Sequence, residues 1–187
     1  MKNNRGSRSS VVGKRGLIHI YTGDGKGKTT AALGLALRAI GAGEKVAIVQ
    51  FMKKANYSEH KAIKKYRLPI LIESFGVGYY QIRGDKKPKS VHQKAAQKAL
   101  KKAKEIIRAG KYDVVILDEI NVAIGFGLVD INDVIDMLVT SNSIPDTILT
   151  GRRAHPKLKR LAHLVTDMKK VKHYFDQGVK ARKGIEY

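Results

Sequence analysis

The stretch Thr22-Gly23-Asp24-Gly25-Lys26-Gly27-Lys28-Thr29-Thr30 decides the fold of this chain. The apolar run Leu17–Tyr21 precedes it and predicts a buried strand. The run Ala31–Ile40 follows it, is rich in helix formers, and predicts a helix closed by Gly41 and Gly43. A glycine-rich loop between a strand and a helix start presents backbone N–H groups and the positive end of the helix dipole to an anion. The sequence therefore predicts a phosphate-binding loop (P-loop).

The loop departs from the usual pattern at one position, because Thr22 stands where a P-loop ordinarily has its first glycine. Its Gly-Lys-Thr end is intact, so Lys28 supplies a positive charge and Thr29 a hydroxyl for Mg²⁺. A glycine-rich turn that binds nothing is the alternative, but the strand and helix on its two sides favour a nucleotide site. The residues expected to bind the nucleotide are Gly23, Asp24, Gly25, Lys26, Gly27, Lys28, Thr29 and Thr30.

Length and composition restrict the classes of protein to be considered. With 187 residues the chain suits one domain with a substantial core, and we expect a flexible basic arm over residues 1–15 before a domain over 16–187. No run of 18 apolar residues predicts a membrane span, and the arm lacks the apolar segment of a secretory signal. Cysteine is absent, which excludes disulfides and thiolate metal sites and suits a cytoplasmic protein.

The formal net charge of +21 is the most unusual property of the composition. Such a charge indicates either a polyanion partner such as nucleic acid or a solvated lysine surface. The lysines between residues 86 and 104 fall largely on the polar side of one amphipathic helix, without aromatic residues between them that could stack on bases. The pattern therefore favours the solvated surface over a nucleic-acid interface.

Two further strands are predicted at Lys45–Phe51 and Pro69–Ser74, separated by a polar segment with a short helix. The second strand leads into Phe75-Gly76-Val77-Gly78-Tyr79-Tyr80-Gln81, a loop of glycines and aromatic residues. Parallel α/β folds place ligand contacts at the carboxyl ends of their strands. The loop is therefore either a ligand contact or a packed turn.

A strand ending in two carboxylates, Tyr112–Glu119, follows a long predicted helix, Ser90–Ala109. At the carboxyl edge of the sheet, Asp118 and Glu119 can hold Mg²⁺ directly or through its waters. Together with a P-loop, this run is typical of a Walker B strand.

The remaining elements complete an alternation of strands and helices that predicts an α/β fold with a mostly parallel sheet. They are a helix with Asp130 as its N-cap, a strand at Thr147–Thr150, a helix at Pro156–Leu164 and a strand at Val165–Met168. Arg152 follows the first of these strands, and its planar guanidinium suits phosphate oxygens, with plain surface charge as the alternative.

Four motifs in this order resemble those of the P-loop ATP:corrinoid adenosyltransferases, which act on cob(I)alamin or cob(I)yrinic acid a,c-diamide. The motifs are Gly23–Thr30, in which that family also lacks the first glycine, Leu117–Asn121, Thr150–Arg152 and Val171–Tyr187. The likeness covers residues 16–187 and omits only the basic arm.

The resemblance implies a RecA-like P-loop NTPase fold with helices on both faces of the sheet, usually as a homodimer. It also implies transfer of the 5′-deoxyadenosyl group of ATP to the cobalt(I) of a corrinoid, with release of triphosphate, in adenosylcobalamin biosynthesis or salvage. Cobalt(I) is already a nucleophile, so the reaction needs no general base. Lys28, Arg152 and Mg²⁺ held by Thr29 with Glu119 or Asp118 would then neutralise the departing triphosphate.

The loop after the third strand differs from members of that family that carry Phe and Trp there, because this chain contains no Trp. Phe75, Tyr79 and Tyr80 are the expected corrinoid contacts, and the preferred corrinoid stays open. An acidic, flavodoxin-like electron donor is a possible partner of the lysine-rich helix. Two other functions are compatible with the motifs: a RecA-like ATPase that acts on nucleic acid, and a regulator that binds nucleotide without turning it over.

Overall fold

The computed structural model describes residues 16–81, 84–140 and 144–187, so the expected arm over 1–15 lies outside the described residues. The strands are β1 (Ile18–Thr22), β2 (Val46–Gln50), β3 (Ile70–Ser74), β4 (Val114–Asp118), β5 (Asp146–Thr150) and β6 (Leu164–Asp167). The helices are α1 (Lys28–Gly41), α2 (Ser58–Lys65), α3 (Lys89–Ala109), α4 (Ile120–Gly125), α5 (Ile131–Val139) and α6 (Pro156–Leu161), followed by a short 3₁₀ turn (Tyr174–Gln177).

The described strands form one parallel sheet in the order β3-β2-β4-β5-β1-β6. This arrangement confirms the expected α/β class and is consistent with a P-loop NTPase-like fold. The P-loop strand β1 and the Walker B strand β4 are not neighbours, because β5 lies between them and pairs with both. The end of β5 therefore contributes to the same edge as the two nucleotide motifs.

Helices cover both faces of the sheet, as expected. Alternate residues of a strand point to opposite faces, and in β2 Val46 and Ile48 pack on the side of α1, whereas Ala47 and Val49 pack on the side of α3. The apolar stripe of α3 is buried along its length. None of the described helices combines the length and apolar character needed to cross a bilayer.

Helices α4 and α6 and strand β6 differ from the sequence-based expectation. Helix α4 was not predicted, since six residues are too few to reveal a helical period. Helix α6 ends at Leu161 rather than at residue 164, and β6 begins correspondingly early. The reason is His163, whose backbone N–H donates to the carbonyl of Ile18 and whose Nδ1 accepts from the Ile18 amide, which draws the chain into the sheet beside β1.

Candidate functional site

The carboxyl ends of the strands border a pocket of about 780 Å³. Its walls come from the P-loop, the segments that follow β2, β3, β4 and β5, and the C-terminal residues 184–187. Of the nucleotide-binding residues expected from the sequence, Asp24 to Thr30 line the pocket, and Gly23 does not. The motifs predicted to act together are therefore brought together at one edge of the sheet.

Thr22, which replaces the usual first glycine of a P-loop, is the last residue of β1 and is 2 % exposed. Its hydroxyl accepts a hydrogen bond from the amide of Ala154, and its carbonyl accepts one from the amide of Met168. A glycine would lose the first of these two contacts. The departure from the pattern thus adds a bond that joins the P-loop strand to the segment after β5.

The C-terminal segment beyond β6 packs directly on the loop glycines. The amide of Gly25 donates a 2.7 Å hydrogen bond to the carbonyl of Met168, and a Cβ atom at Gly25 would lie 2.6 Å from that oxygen. A Cβ at Gly23 would clash with Asp167 and Met168, and the φ of Gly23 is +96°. These two glycines are therefore required by close packing of the chain, whatever the loop binds.

Lys28 is 7 % exposed, and its Nζ donates to the carbonyls of Gly23, at 2.8 Å, and Gly25. Burial lowers the pKa of Lys28, and the charge of Glu119 partly offsets that effect. The ammonium is held over the loop by neutral carbonyl groups, where an anion in the pocket can reach it.

Asp118, at the end of β4, is 1 % exposed and has four hydrogen-bond or ion-pair partners. Its Oδ1 accepts from the hydroxyls of Thr29 and Thr150, each at 2.8 Å. Its Oδ2 accepts from Gln50 at 3.1 Å and from the Nζ of Lys53 at 3.0 Å. The carboxylate thus fixes the Thr29 hydroxyl of the P-loop relative to β2 and β5.

Glu119 contrasts with Asp118, because no described residue donates a hydrogen bond to its carboxylate. It takes a left-handed backbone conformation, with φ of 63°, and its amide donates to the hydroxyl of Thr150. Burial, followed by the charge of Asp118, raises the pKa of Glu119 to about 7, although nearby cations oppose the shift. A buried carboxylate without a partner at a pocket wall is suited to binding a cation.

Arg152 lies on the rim of the pocket, with its side chain 62 % exposed and its Nε 4.0 Å from Asp24. It follows Gly151, whose φ is +127° and at which a Cβ would lie 3.0 Å from the amide of Val122. The glycine allows the end of β5 to approach the start of α4, which places the guanidinium opposite the P-loop.

The three aromatic residues proposed as corrinoid contacts fall into two groups. Tyr79 and Tyr80 line the pocket, and Tyr80 packs edge-to-face on Phe126 with ring centroids 5.4 Å apart. Burial raises the pKa of Tyr79, which keeps its hydroxyl protonated. All three residues pack against the main core, but Phe75 does not line the pocket.

Residues 168–187 form a segment across the P-loop, which we call the C-terminal strap. Its carbonyl at Ile185 accepts from Lys26 Nζ at 3.1 Å, and its carbonyl at Tyr187 accepts from the Ser58 hydroxyl at 2.8 Å. The ring of Tyr187 packs edge-on against Tyr57. The strap thereby forms one wall of the pocket.

Sequence reasoning did not assign a site role to several residues at this pocket. Lys53 lies in a basic segment where one more lysine carries no signal, and the strap has no apolar period. Asn121 was noticed only as part of a motif. Its Oδ1 is buried without a hydrogen-bond partner among the described residues, and it lines the pocket.

The protein has a parallel sheet, a P-loop and Walker B carboxylates. These features together are typical of the class of P-loop nucleotide-binding proteins. Comparison with known proteins narrows this class. Residues 14–187 match the family model described as ATP:corrinoid adenosyltransferase BtuR/CobO/CobP. The chain therefore belongs to the ATP:corrinoid adenosyltransferase family, a family of transferases in corrinoid metabolism.

Individual relatives agree with the family match. A corrinoid adenosyltransferase of a Sinorhizobium species is 37 % identical over 177 residues, which cover 93 % of this chain and 81 % of the relative. The corrinoid adenosyltransferase of Escherichia coli K12 is 33 % identical over 175 residues, which cover 93 % of this chain and 87 % of the relative. The corrinoid adenosyltransferase of Pseudomonas aeruginosa is 31 % identical over 175 residues, which cover 93 % of this chain and 85 % of the relative.

Proposed function

We propose that this pocket binds ATP and a reduced corrinoid and transfers the 5′-deoxyadenosyl group of ATP to cobalt, releasing inorganic triphosphate. The observation that supports the proposal most strongly is the mixed lining of the pocket. The lining includes the P-loop, Lys28 and Arg152, which suit a polyphosphate, and also Tyr79, Tyr80 and Phe126, which suit a large apolar ring system.

The transfer is a single displacement at carbon. Cobalt(I) supplies the electron pair for the new cobalt–carbon bond, while the C5′–oxygen bond breaks and its electron pair leaves with the triphosphate. The nucleophile carries no proton, so the pocket needs no general base. The residues act on the leaving group: Lys28 and Arg152 neutralise its growing charge, and the amides of the first turn of α1 donate to its oxygens.

Mg²⁺ fits this pocket with few protein ligands. The described residues contain no group of three or more His, Cys, Asp or Glu side chains that could hold a metal, as is usual where substrate phosphates complete the coordination. Glu119, whose carboxylate is unpaired, and Thr29 would hold the ion, and Asp118 would orient the Thr29 hydroxyl through the bond already described. When bound, Mg²⁺ supplies positive charge to the departing triphosphate.

We further propose a cytoplasmic homodimer that receives electrons from an acidic, flavodoxin-like protein. Lys94, Lys98 and Lys101 are exposed on α3 and offer a basic face for such an encounter. Lys102, which the sequence grouped with them, forms an ion pair with Glu73 of β3 at 2.8 Å and contributes less free charge.

Product analysis tests the proposal. Purified protein is incubated anaerobically with ATP, Mg²⁺ and chemically reduced cobalamin, and we expect adenosylcobalamin and triphosphate in equal amounts. ADP as the nucleotide product, stimulated by nucleic acid, would indicate the RecA-like ATPase instead. Nucleotide binding without any product would indicate a regulator.

A further inference from the structure

Lys53 occupies a position beside the P-loop that no motif predicts. It follows β2, and the two preceding residues, Phe51 and Met52, are buried in the core. A Cβ atom at Gly76 would clash with the backbone of Met52 and Lys53, so the loop after β3 packs closely on this segment. The backbone that carries Lys53 is therefore fixed by packing from two sides.

The ammonium group of Lys53 lies between the P-loop and the Walker B strand. Its Nζ is 3.0 Å from Asp118 Oδ2, 3.2 Å from Thr29 Oγ1 and 3.6 Å from Glu59 Oε1, and the residue is 6 % exposed. The ring of Tyr57 lies 5.5 Å from the same nitrogen. Every partner is an oxygen or an aromatic face, and each of them favours the charged amine.

The charge of Lys53 follows from these surroundings. Its Nζ forms an ion pair with the carboxylate of Asp118 at 3.0 Å, and the carboxylate of Glu59 lies 3.6 Å away. The site therefore holds Lys53 as an ammonium ion. It cancels the charge of Asp118, which would otherwise repel a phosphate group bound at the start of α1.

Lys53 also keeps hydrogen-bonding capacity. An ammonium group has three N–H donors. Asp118 and Thr29 accept two of them, and Glu59 lies beyond hydrogen-bond distance. Lys53 lines the pocket, next to the Thr29 hydroxyl at which the phosphates are expected.

We propose that Lys53 is a second triphosphate-binding lysine, a cation fixed between Thr29 and Asp118 that allows triphosphate to bind without a divalent metal ion. The inference rests on the proposed function only for the identity of the ligand. Lys28 and Lys53 approach the phosphates from different elements, since Lys28 is held by loop carbonyls and Lys53 by a carboxylate and a hydroxyl. Lys28 would supply net positive charge, and Lys53, whose charge Asp118 balances, would supply a further N–H donor beside Thr29.

Calorimetric titration with inorganic triphosphate, in EDTA and in excess Mg²⁺, tests the proposal without corrinoid or turnover. For wild type we expect binding in both conditions. Lys53→Met should weaken binding in EDTA at least tenfold and weaken it less in Mg²⁺. Lys54→Met removes the same charge from an exposed neighbour and should change the Kd less than twofold.

Lys53→Met leaves Asp118 buried without its cation and can impair folding. The double variant Lys53→Met/Asp118→Asn removes both charges and keeps the acceptor for Thr29, so we expect a cooperative thermal transition and binding in EDTA as weak as that of the single variant. Wild-type affinity in either variant in EDTA would overturn the proposal and reduce Lys53 to a counter-ion of Asp118. Binding by wild type only when Mg²⁺ is present would overturn it too, while leaving the proposed function intact. Failure of wild type to bind triphosphate in either condition would contradict both.

Discussion

The amide nitrogen of Gly25 in the P-loop lies 2.7 Å from the carbonyl oxygen of Met168, which begins the C-terminal strap. The amide of Gly25 is thus bonded within the protein rather than directed at an anion. The contact also means that the shape of the P-loop depends on residues more than 140 positions away in the sequence.

Gly25→Ala should destabilise the protein, because its methyl group would lie 2.6 Å from the Met168 oxygen. We expect a loss of about 1–3 kcal/mol in the free energy of unfolding, as for other overpacked sites. Gly34→Ala is the matched control: it is exposed on α1, its Cβ would meet no atom within 4 Å, and helix propensity predicts a gain of roughly 0.5–1 kcal/mol. Urea denaturation of both variants measures the difference, and equal stabilities would contradict the packing argument.

Lys28→Ala should abolish adenosyl transfer while leaving the fold intact. The residue neutralises the departing triphosphate, and loss of one such group costs on the order of 10²- to 10³-fold in rate. The measurement is the rate of adenosylcobalamin formation from chemically reduced cobalamin, with circular dichroism as the check of folding. Lys61→Ala, on the exposed side of α2, serves as the control. Near-normal turnover by Lys28→Ala would contradict the proposal that Lys28 binds the triphosphate.

Glu119→Gln should weaken the response to Mg²⁺ and change its pH dependence. Burial and the charge of Asp118 raise the pKa of Glu119 to about 7, so the carboxylate available to a cation is lost as the pH falls through that value. In wild type the Mg²⁺ concentration for half-maximal rate should therefore rise between pH 8 and pH 6. The variant should need more Mg²⁺ throughout and show little of this change, whereas Asp136→Asn on α5 should behave as wild type.

The same carboxyl group links stability to pH when no metal is bound. A raised pKa means that the folded protein holds the Glu119 proton more tightly than the unfolded chain, so its contribution to stability is present at low pH and is lost as the pH rises from about 4.5 to about 7. The free energy of unfolding, measured in EDTA at pH 5 and pH 8, should fall more in wild type than in Glu119→Gln. A parallel fall in both proteins would show that Glu119 does not titrate in this range.

Ser58→Ala and Tyr187→Ala should raise the KM for ATP, because each removes a contact that holds the strap at the pocket wall. Loss of one hydrogen bond of about 1 kcal/mol corresponds to a roughly fivefold change. The rate at saturating ATP should change less than KM. Val171→Ala, at a position 95 % exposed on the same strap, is the control, and an unchanged KM in both test variants would separate the strap from nucleotide binding.

Reversing the charges of Lys94, Lys98 and Lys101 should slow turnover driven by an acidic electron-transfer protein and make it less sensitive to salt. Lys102 is left unchanged because it pairs with Glu73. Turnover with a small chemical reductant should survive, since these lysines do not line the pocket. An equal loss of turnover rate with both reductants, or no loss with either, would contradict the docking proposal and indicate that the three lysines only form a solvated surface.

The fold could be predicted because its signals are local. The apolar run of Val114–Asp118 and the buried stripe of α3 can both be recognised from residues that are neighbours in the sequence. The P-loop motif is likewise contained in nine consecutive residues. The Walker pair could be predicted for the same reason, since parallel strands bring their carboxyl ends to one edge.

The features that could not be predicted from the sequence depend on contacts between segments that are distant in the chain. Lys53 is one of 37 lysines and arginines, and only the approach of Thr29 and Asp118 distinguishes it. Most of the strap is exposed rather than packed in a core, so it has no apolar period for the sequence to show. Phe75 and Tyr79 are both half-buried against the main core, and only Tyr79 lines the pocket. This difference follows from the path of one loop, which no sequence period encodes.

Thr22 has a consequence for how sites of this kind are found in uncharacterised genomes. A search pattern that demands glycine at this position would discard the present chain, although its loop, lysine and following helix are in place. The hydroxyl that replaces the glycine forms a bond to Ala154, outside the window such a pattern inspects. A screen that accepts Thr there, and then asks for Thr-Gly-Arg after a later strand, would retain this chain and include the motif that ends two residues before Ala154.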